Sequence, residues 1–180
     1  IIYLANPDNP TGTYFKKTMF DKFIKKVPNR VLVILDEAYF EYACHLTDFP
    51  DSMIYKYDNV ITLRTFSKAY GLAGLRIGYG FGHQKLIDSL MKVKLPFEPS
   101  SIAQLAGLAS LDDDEFLAET VKINATGMQR ILNSLKEYDT IPSVANFITI
   151  KFNDNKESHD FTKFMLSNGV IVRNLKGFGL

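Results

Sequence analysis

The stretch "NVITLRTFSKAYGLAGLRIGYG", Asn59 to Gly80, decides how this chain is read. "NVITLRTF" is an apolar, β-branched run of strand length. A lysine, Lys68, follows it at once, behind the hydroxyls of Thr65 and Ser67. Glycines come next, then Arg76 eight residues after the lysine, then "RIGYGFG" as a further strand. A lysine at the end of a buried strand is costly unless something pairs with it or reacts with it.

The pattern repeats outward from this stretch. "IIYLANP" reads as a strand leading into the loop "NPDNPTG". "TMFDKFIKKV" has helical spacing, with Met19, Phe20, Phe23, Ile24 and Val27 on one face. "RVLVILDEAYFEY" is a continuously apolar strand ending in acids. Continuous apolarity predicts burial on both faces, and strands separated by helices predict a mostly parallel sheet. Downstream, the sequence predicts helices in "QKLIDSLMKVKLPFEPS", "SIAQLAGLASL" and "DDDEFLAETVKINATGMQRILNSLKEY". The third has an apolar stripe from Leu117 through Val121 to Leu135, and Asp112 to Glu115 supply its cap and first-turn acids. "SVANFITIKF", "HDFTKFMLSNG" and "VIVRNL" read as strand, helix and strand, a second βαβ-like unit. Two domains are expected, 1–115 and 116–180, with the long helix bridging them.

Composition excludes more than it selects. A net charge of +1 gives no nucleic-acid or membrane surface, and no apolar run reaches the length of a membrane span. The single cysteine, Cys44, forbids an internal disulfide, fits a reducing, cytoplasmic compartment and reads as a small buried hydrophobe. His45, His83 and His159 have no metal-ligand spacing, so no metal is expected. There is no Gly-x-Ser-x-Gly elbow and no Walker loop, and "GYGFG" lacks dinucleotide spacing. The chain opens at Ile1 inside a strand-like run and stops on the turn-like "VRNLKGFGL". It is therefore expected to be a piece of a longer protein.

In an open parallel sheet, ligands collect outside the carboxyl ends of the strands. Three loops follow such ends: Asn6 to Gly12, Asp36 to Tyr39, and Thr65 to Arg76. Together they would bring an amine (Lys68), a carboxylate (Asp36), a phenol (Tyr39), an amide (Asn9), two hydroxyls (Thr65, Ser67) and a guanidinium (Arg76) to one crevice. Arginine, hydroxyls and glycine-flanked N–H groups suit a phosphate. A carboxylate can hold a proton on a ring nitrogen, and an amine can bond to an aldehyde. Pyridoxal phosphate would use all of these at once.

"NPDNPTG", "LDEAYFEY" and "RTFSKAYGLAGLRIGYG", in this order, resemble the fold-type-I pyridoxal-phosphate aminotransferases. "LPFEPSSIAQLAGLASLDD", "PSVANF" and "GVIVRNLKGFGL" extend the resemblance over nearly the whole chain. It implies an α/β fold: the mostly parallel three-layer sheet of that family's large domain, plus part of a smaller C-terminal α/β domain. It implies that Lys68 bonds covalently to the cofactor and that Asp36 pairs with the ring nitrogen. Asn9 and Tyr39 would hydrogen-bond the ring oxygen, while Thr65, Ser67 and Arg76 hold the phosphate. Arg173 would lie near the substrate's anionic group and Asn146 near the substrate.

The resemblance further implies transamination between histidinol phosphate and 2-oxoglutarate or glutamate, in a homodimer. Aromatic aminotransferases and a phosphothreonine decarboxylase share the same core motifs. A glycine-containing phosphate loop, a ring-stacking aromatic and a substrate-gripping C-terminal arginine are implied to lie outside this chain. An inert, aminotransferase-like binding module is the alternative from another class. Plainer readings are Asp36 as a helix cap, "NPDNPTG" as a turn, Tyr39 as core, Arg76 as the partner of a surface acid and Arg173 as an ordinary strand-end arginine.

Overall fold

The computed structural model describes residues 1–178. Four strands form the main sheet: β1 (Ile2–Ala5), β2 (Val33–Asp36), β3 (Val60–Thr65) and β4 (Gly78–Gly82), in the spatial order β1-β2-β3-β4. The first three are parallel, in a register that sets Ala5 beside Asp36 and Asp36 beside Leu63. The carboxyl ends of β1, β2 and β3 therefore open at one edge. Strand β4 is antiparallel to β3 and pairs Gly78 with Thr65. This reversal brings Arg76, two residues before β4, to the same edge; a parallel β4 would have left it at the far end.

Helix α1 (Lys17–Ile24) packs Phe20 and Ile24 onto Val33, Leu35 and Val60, which form the main core. The apolar run after Arg30 is shorter as a strand than its composition predicts. It stops at Asp36, turns, and continues as the short helix α2 (Phe40–Ala43). Burial on both faces is only partly realised. Strand β2 alternates buried with half-buried positions, and Tyr3 and Leu63 are exposed. Cys44, expected in the core, is exposed just beyond α2.

Three further helices follow: α3 (Gln84–Met91), α4 (Ser101–Leu111) and α5 (Asp114–Ser134). α3 ends before Pro96, and Val93, Leu95 and Phe97 beyond it are exposed. Ser100 caps α4 by accepting from the Ala103 N–H, and Asp113 caps α5 by accepting from the Phe116 N–H at 2.9 Å. The last part is not the expected βαβ unit. Strands β5 (Asp139–Ile141) and β6 (Thr149–Lys151) pair antiparallel, and α6 (Asn155–Ser167) follows. Val170–Leu175 joins no ladder among the described residues, and β5 and β6 stay a two-stranded sheet. The last two residues of "GVIVRNLKGFGL" lie outside the described residues.

Candidate active site

The site begins where three strands end. Asp36 closes β2, and its Oδ1 accepts from the Ala38 N–H at 3.0 Å. Its Oδ2 accepts from the Tyr3 hydroxyl. Although the ring is largely exposed, loss of water around the hydroxyl and the bond to Asp36 push the Tyr3 phenol up to about 12, so it stays a donor. Tyr3 was not legible as a site residue. Its one signal is register, which places it two residues before the end of β1 and so on the same face as Ala5.

Beyond β3 the chain turns sharply. The Thr65 hydroxyl oxygen accepts from the Ser67 N–H at 3.1 Å, and the Gly71 N–H donates to the Lys68 carbonyl. Gly71 adopts a left-handed conformation with φ of +71°, which costs glycine nothing. Arg76 has φ of 54°, and its Nη1 donates to the Ala73 carbonyl at 2.7 Å. Among the described residues neither Arg76 nor Lys68 forms an ion pair.

Asp36, Thr65, Ser67, Lys68 and Arg76 line one cleft of about 390 Å³ with Ala38, Leu63, Arg64 and Ala73. Asn9 and Tyr39 adjoin it. Asn9 Nδ2 donates to the Tyr39 hydroxyl oxygen at 3.4 Å, and Lys68 Nζ lies 5.2 Å from the centre of the Tyr39 ring. Of the seven residues assigned to the cofactor from sequence, five share the cleft and two touch its rim. Arg64 was not assigned to the site, yet it lines the cleft and is bonded to the buried Glu37.

The floor joins the two ends of the chain. Tyr39, Tyr42, Ala69 and Ala145 form a second core, with Leu117, Val121 and Phe147 against it. Phe147 meets Tyr39 edge-on at 5.2 Å between ring centres. Asn146, between Ala145 and Phe147, is exposed beside this cluster. The Asn9 loop is tied down from the same side: Thr149 Oγ1 donates to the Pro10 carbonyl at 2.6 Å, and the Val144 N–H donates to the Gly12 carbonyl at 2.9 Å. Gly12 has φ of +73°, and a Cβ there would sit 2.0 Å from Ser143 Oγ and 3.0 Å from its Cα, so only glycine fits. No described contact joins Arg173 to the cleft; its guanidinium lies 6.0 Å from the Phe178 ring centre.

The donor set fits pyridoxal phosphate. Arg76, two hydroxyls and turn N–H groups match a phosphate, and Lys68 is a primary amine with no acidic partner among the described residues. The Asp36 carboxylate has about four acceptor positions. The Ala38 N–H and the Tyr3 hydroxyl use two of them, leaving room for a ring N–H.

A strand-end carboxylate, a lysine turn and an arginine on an antiparallel return define a transaminase-like cleft, and the sequence comparison agrees. The chain belongs to the class I and II aminotransferases, whose family pattern matches residues 1–180. It is 45% identical to histidinol-phosphate aminotransferase 2 of Carboxydothermus hydrogenoformans and 44% identical to the histidinol-phosphate aminotransferase of Bacillus cytotoxicus. Those matches cover 100% of this chain and 50% and 49% of the relatives, so the chain spans about half their length. In fold it is similar to the histidinol-phosphate aminotransferase of Sinorhizobium meliloti, solved with pyridoxal-5'-phosphate. The TM-score is 0.88 at 34% identity, over 95% of this chain and 48% of that one.

Proposed function

We propose that the full-length protein transfers an amino group between histidinol phosphate and 2-oxoglutarate or glutamate, with pyridoxal phosphate held in this cleft. The observation that carries the reading is that Asp36, Thr65, Ser67, Lys68 and Arg76 line one cavity. When bound, the cofactor supplies an electrophilic aldehyde and a ring that withdraws electrons from the substrate's α-carbon. Lys68 supplies the amine that bonds to that aldehyde, and when free it is the base positioned to move the α-carbon proton. Asp36, kept in place by Tyr3 and the Ala38 N–H, holds a proton on the ring nitrogen. Asn9 and Tyr39 orient the ring oxygen. Thr65, Ser67 and Arg76 bind the phosphate, and the turn around Gly71 lets backbone N–H groups approach it.

Asn146, beside the Tyr39 cluster, and Arg173 are read as substrate contacts on the strength of the motif resemblance. Small-molecule amino and keto substrates are the partners, and neither nucleic acid nor membrane is part of the reading; no helix among the described residues is long and apolar enough to cross a membrane. A cytoplasmic homodimer is the assembly proposed. The exposed row Ile102, Leu105, Leu108 and Leu111 on α4 offers an apolar surface for it, and sedimentation of the full-length protein tests it.

Borohydride reduction of the full-length protein with pyridoxal phosphate should fix the cofactor on Lys68. Histidinol phosphate should be converted faster than phenylalanine, and phosphothreonine should not lose carbon dioxide. Lys68→Ala should abolish the fixation and lower turnover by roughly a thousandfold or more. Protein that stays colourless with added pyridoxal phosphate would mark an inert module. Preference for phenylalanine, or release of carbon dioxide from phosphothreonine, would redirect the substrate.

A further inference from the structure

A buried ion pair lies directly behind the cleft, and neither of its members is assigned a part in the chemistry above. Arg64 precedes Thr65 in β3, and Glu37 follows Asp36 at the end of β2. Arg64 Nε and Nη2 approach the same oxygen, Glu37 Oε2, at 2.9 and 2.8 Å. The two side chains are 5% and 2% exposed. Arg64 Nη2 also reaches Asp51 Oδ1 at 3.2 Å, and the guanidinium carbon stacks 3.3 Å from the centre of the Phe40 ring. The backbone closes the same loop, because the Glu37 N–H donates to the Leu63 carbonyl at 2.8 Å.

Burying such a pair costs several kcal/mol of lost hydration, and well-packed apolar residues often serve stability as well or better. Stability alone therefore does not account for the pair. The loop supplies a candidate: one covalent step leads from Glu37 to Asp36, and one from Arg64 to Thr65. The distance across the cleft, from the carboxylate to the turn carrying Thr65, Ser67 and Lys68, is thus set by a side-chain clamp of fixed geometry. With its charge matched by Glu37 and Asp51, Arg64 leaves Arg76 as the guanidinium open to an anion.

We propose that Arg64 and Glu37 are positioning residues, which set the spacing between Asp36 and the Thr65–Lys68 turn and thereby the affinity for pyridoxal phosphate. This rests on the cofactor reading above. The test uses the full-length protein with three replacements: Arg64→Lys, Glu37→Gln, and the double apolar change R64M/E37M. Two quantities are read for each, the dissociation constant for pyridoxal phosphate by absorbance titration and the melting temperature of the cofactor-free form. Phe20→Leu, remote from the cleft in the main core, is the control for general loss of stability.

All three clamp variants should bind the cofactor about tenfold or more weakly, the usual cost of loosening a supporting contact. The double variant should do so while keeping its melting temperature, and Phe20→Leu should melt earlier with affinity unchanged. Clamp variants binding within about twofold of wild type would overturn the proposal. So would affinity losses that follow melting temperature on one line with Phe20→Leu, or a failure of all three to fold, since either makes the pair scaffold alone. If wild type itself takes up no pyridoxal phosphate, it is the functional reading that falls. If wild type binds and Lys68→Ala loses the borohydride-fixed cofactor while clamp variants bind normally, only the clamp falls.

Discussion

The sheet half of the chain, residues 1–82, and the helical half, residues 84–178, use their apolar residues differently. Of the buried hydrophobic side chains, only Ala103 and Ala145 come from the second half. Helices α3, α5 and α6 bury no residue fully. In the first half, Phe20 stacks on Tyr55 with ring centres 4.9 Å apart, and Val33, Leu35 and Val60 close around it. In the second, Ile102, Leu105, Leu108, Phe116, Ile123 and Ile131 face outward. The first half holds Asp36 and the Lys68 turn by contacts made within itself. The second supplies the floor under Tyr39 and the bonds that tie down the Asn9 loop, and otherwise offers surface.

Truncating Phe20 is the strongest way to test that contrast. It is 1% exposed, and four aromatic neighbours surround it, so Phe20→Ala should cost about 3–5 kcal/mol through lost burial and the cavity left behind. Ile102→Ala, at a position 70% exposed, should stay within about 0.5 kcal/mol in the 180-residue chain. Urea denaturation reads both. A loss at Ile102 approaching that at Phe20 would mean that the α4 face is covered, and the contrast would break.

The same contrast governs what could be read from sequence. In the first half, strand, loop and helix signals each had a partner within the chain, so Asp36, Thr65, Lys68 and Arg76 arrive where their loops predict. What was illegible there was pairwise. The Tyr3–Asp36 bond and the Arg64–Glu37 pair join residues 33 and 27 positions apart, and nothing local announces either. Asp36 was expected at a strand end, but the run after it carries two structures, because "EAYFEY" turns into α2 once the sheet edge is reached. In the second half, "VIVRNL" has strand composition and no ladder, and the helix after Gln84 stops at Met91 although its pattern continues. Apolar pattern states what a segment could bury. Whether it becomes an element depends on a partner the local sequence does not contain.

Glu41 sharpens the comparison by making the sheet half sensitive to pH. Its Oε2 is buried without a partner among the described residues, and burial pushes the carboxyl up from 4.5 to about 7. Arg64 pulls it down and Glu37 pushes it further up; the Cys44, Tyr42, Tyr70 and Tyr79 side chains sense its charge. The folded state keeps this proton to about pH 7, whereas the unfolded chain releases it near 4.5. Stability from this group is therefore full below the unfolded value and is lost as pH rises through the folded one. Glu41→Gln should remove the dependence and raise stability at pH 8 by up to about 3 kcal/mol, measured by denaturation at pH 5 and 8. An unchanged slope in the variant would assign the pH response to another group.

The smallest effect separates the halves most directly. Helix α6 buries none of its residues fully, so local bonds carry much of its stability. Asp154 accepts from the Glu157 N–H at 2.8 Å, while Glu157 Oε2 accepts from the Asn153 N–H at 3.0 Å, a reciprocal cap at the first turn. Asp154→Ala should cost about 1 kcal/mol, equivalent to roughly fivefold faster amide exchange in α6. If the halves open independently, β2 and β3 amides keep their protection while α6 loses its own. If β2 and β3 lose protection by the same factor, α6 and the sheet open as one cooperative unit. The bonds from Thr149 to Pro10 and from Val144 to Gly12 would then carry that coupling into the Asn9 loop.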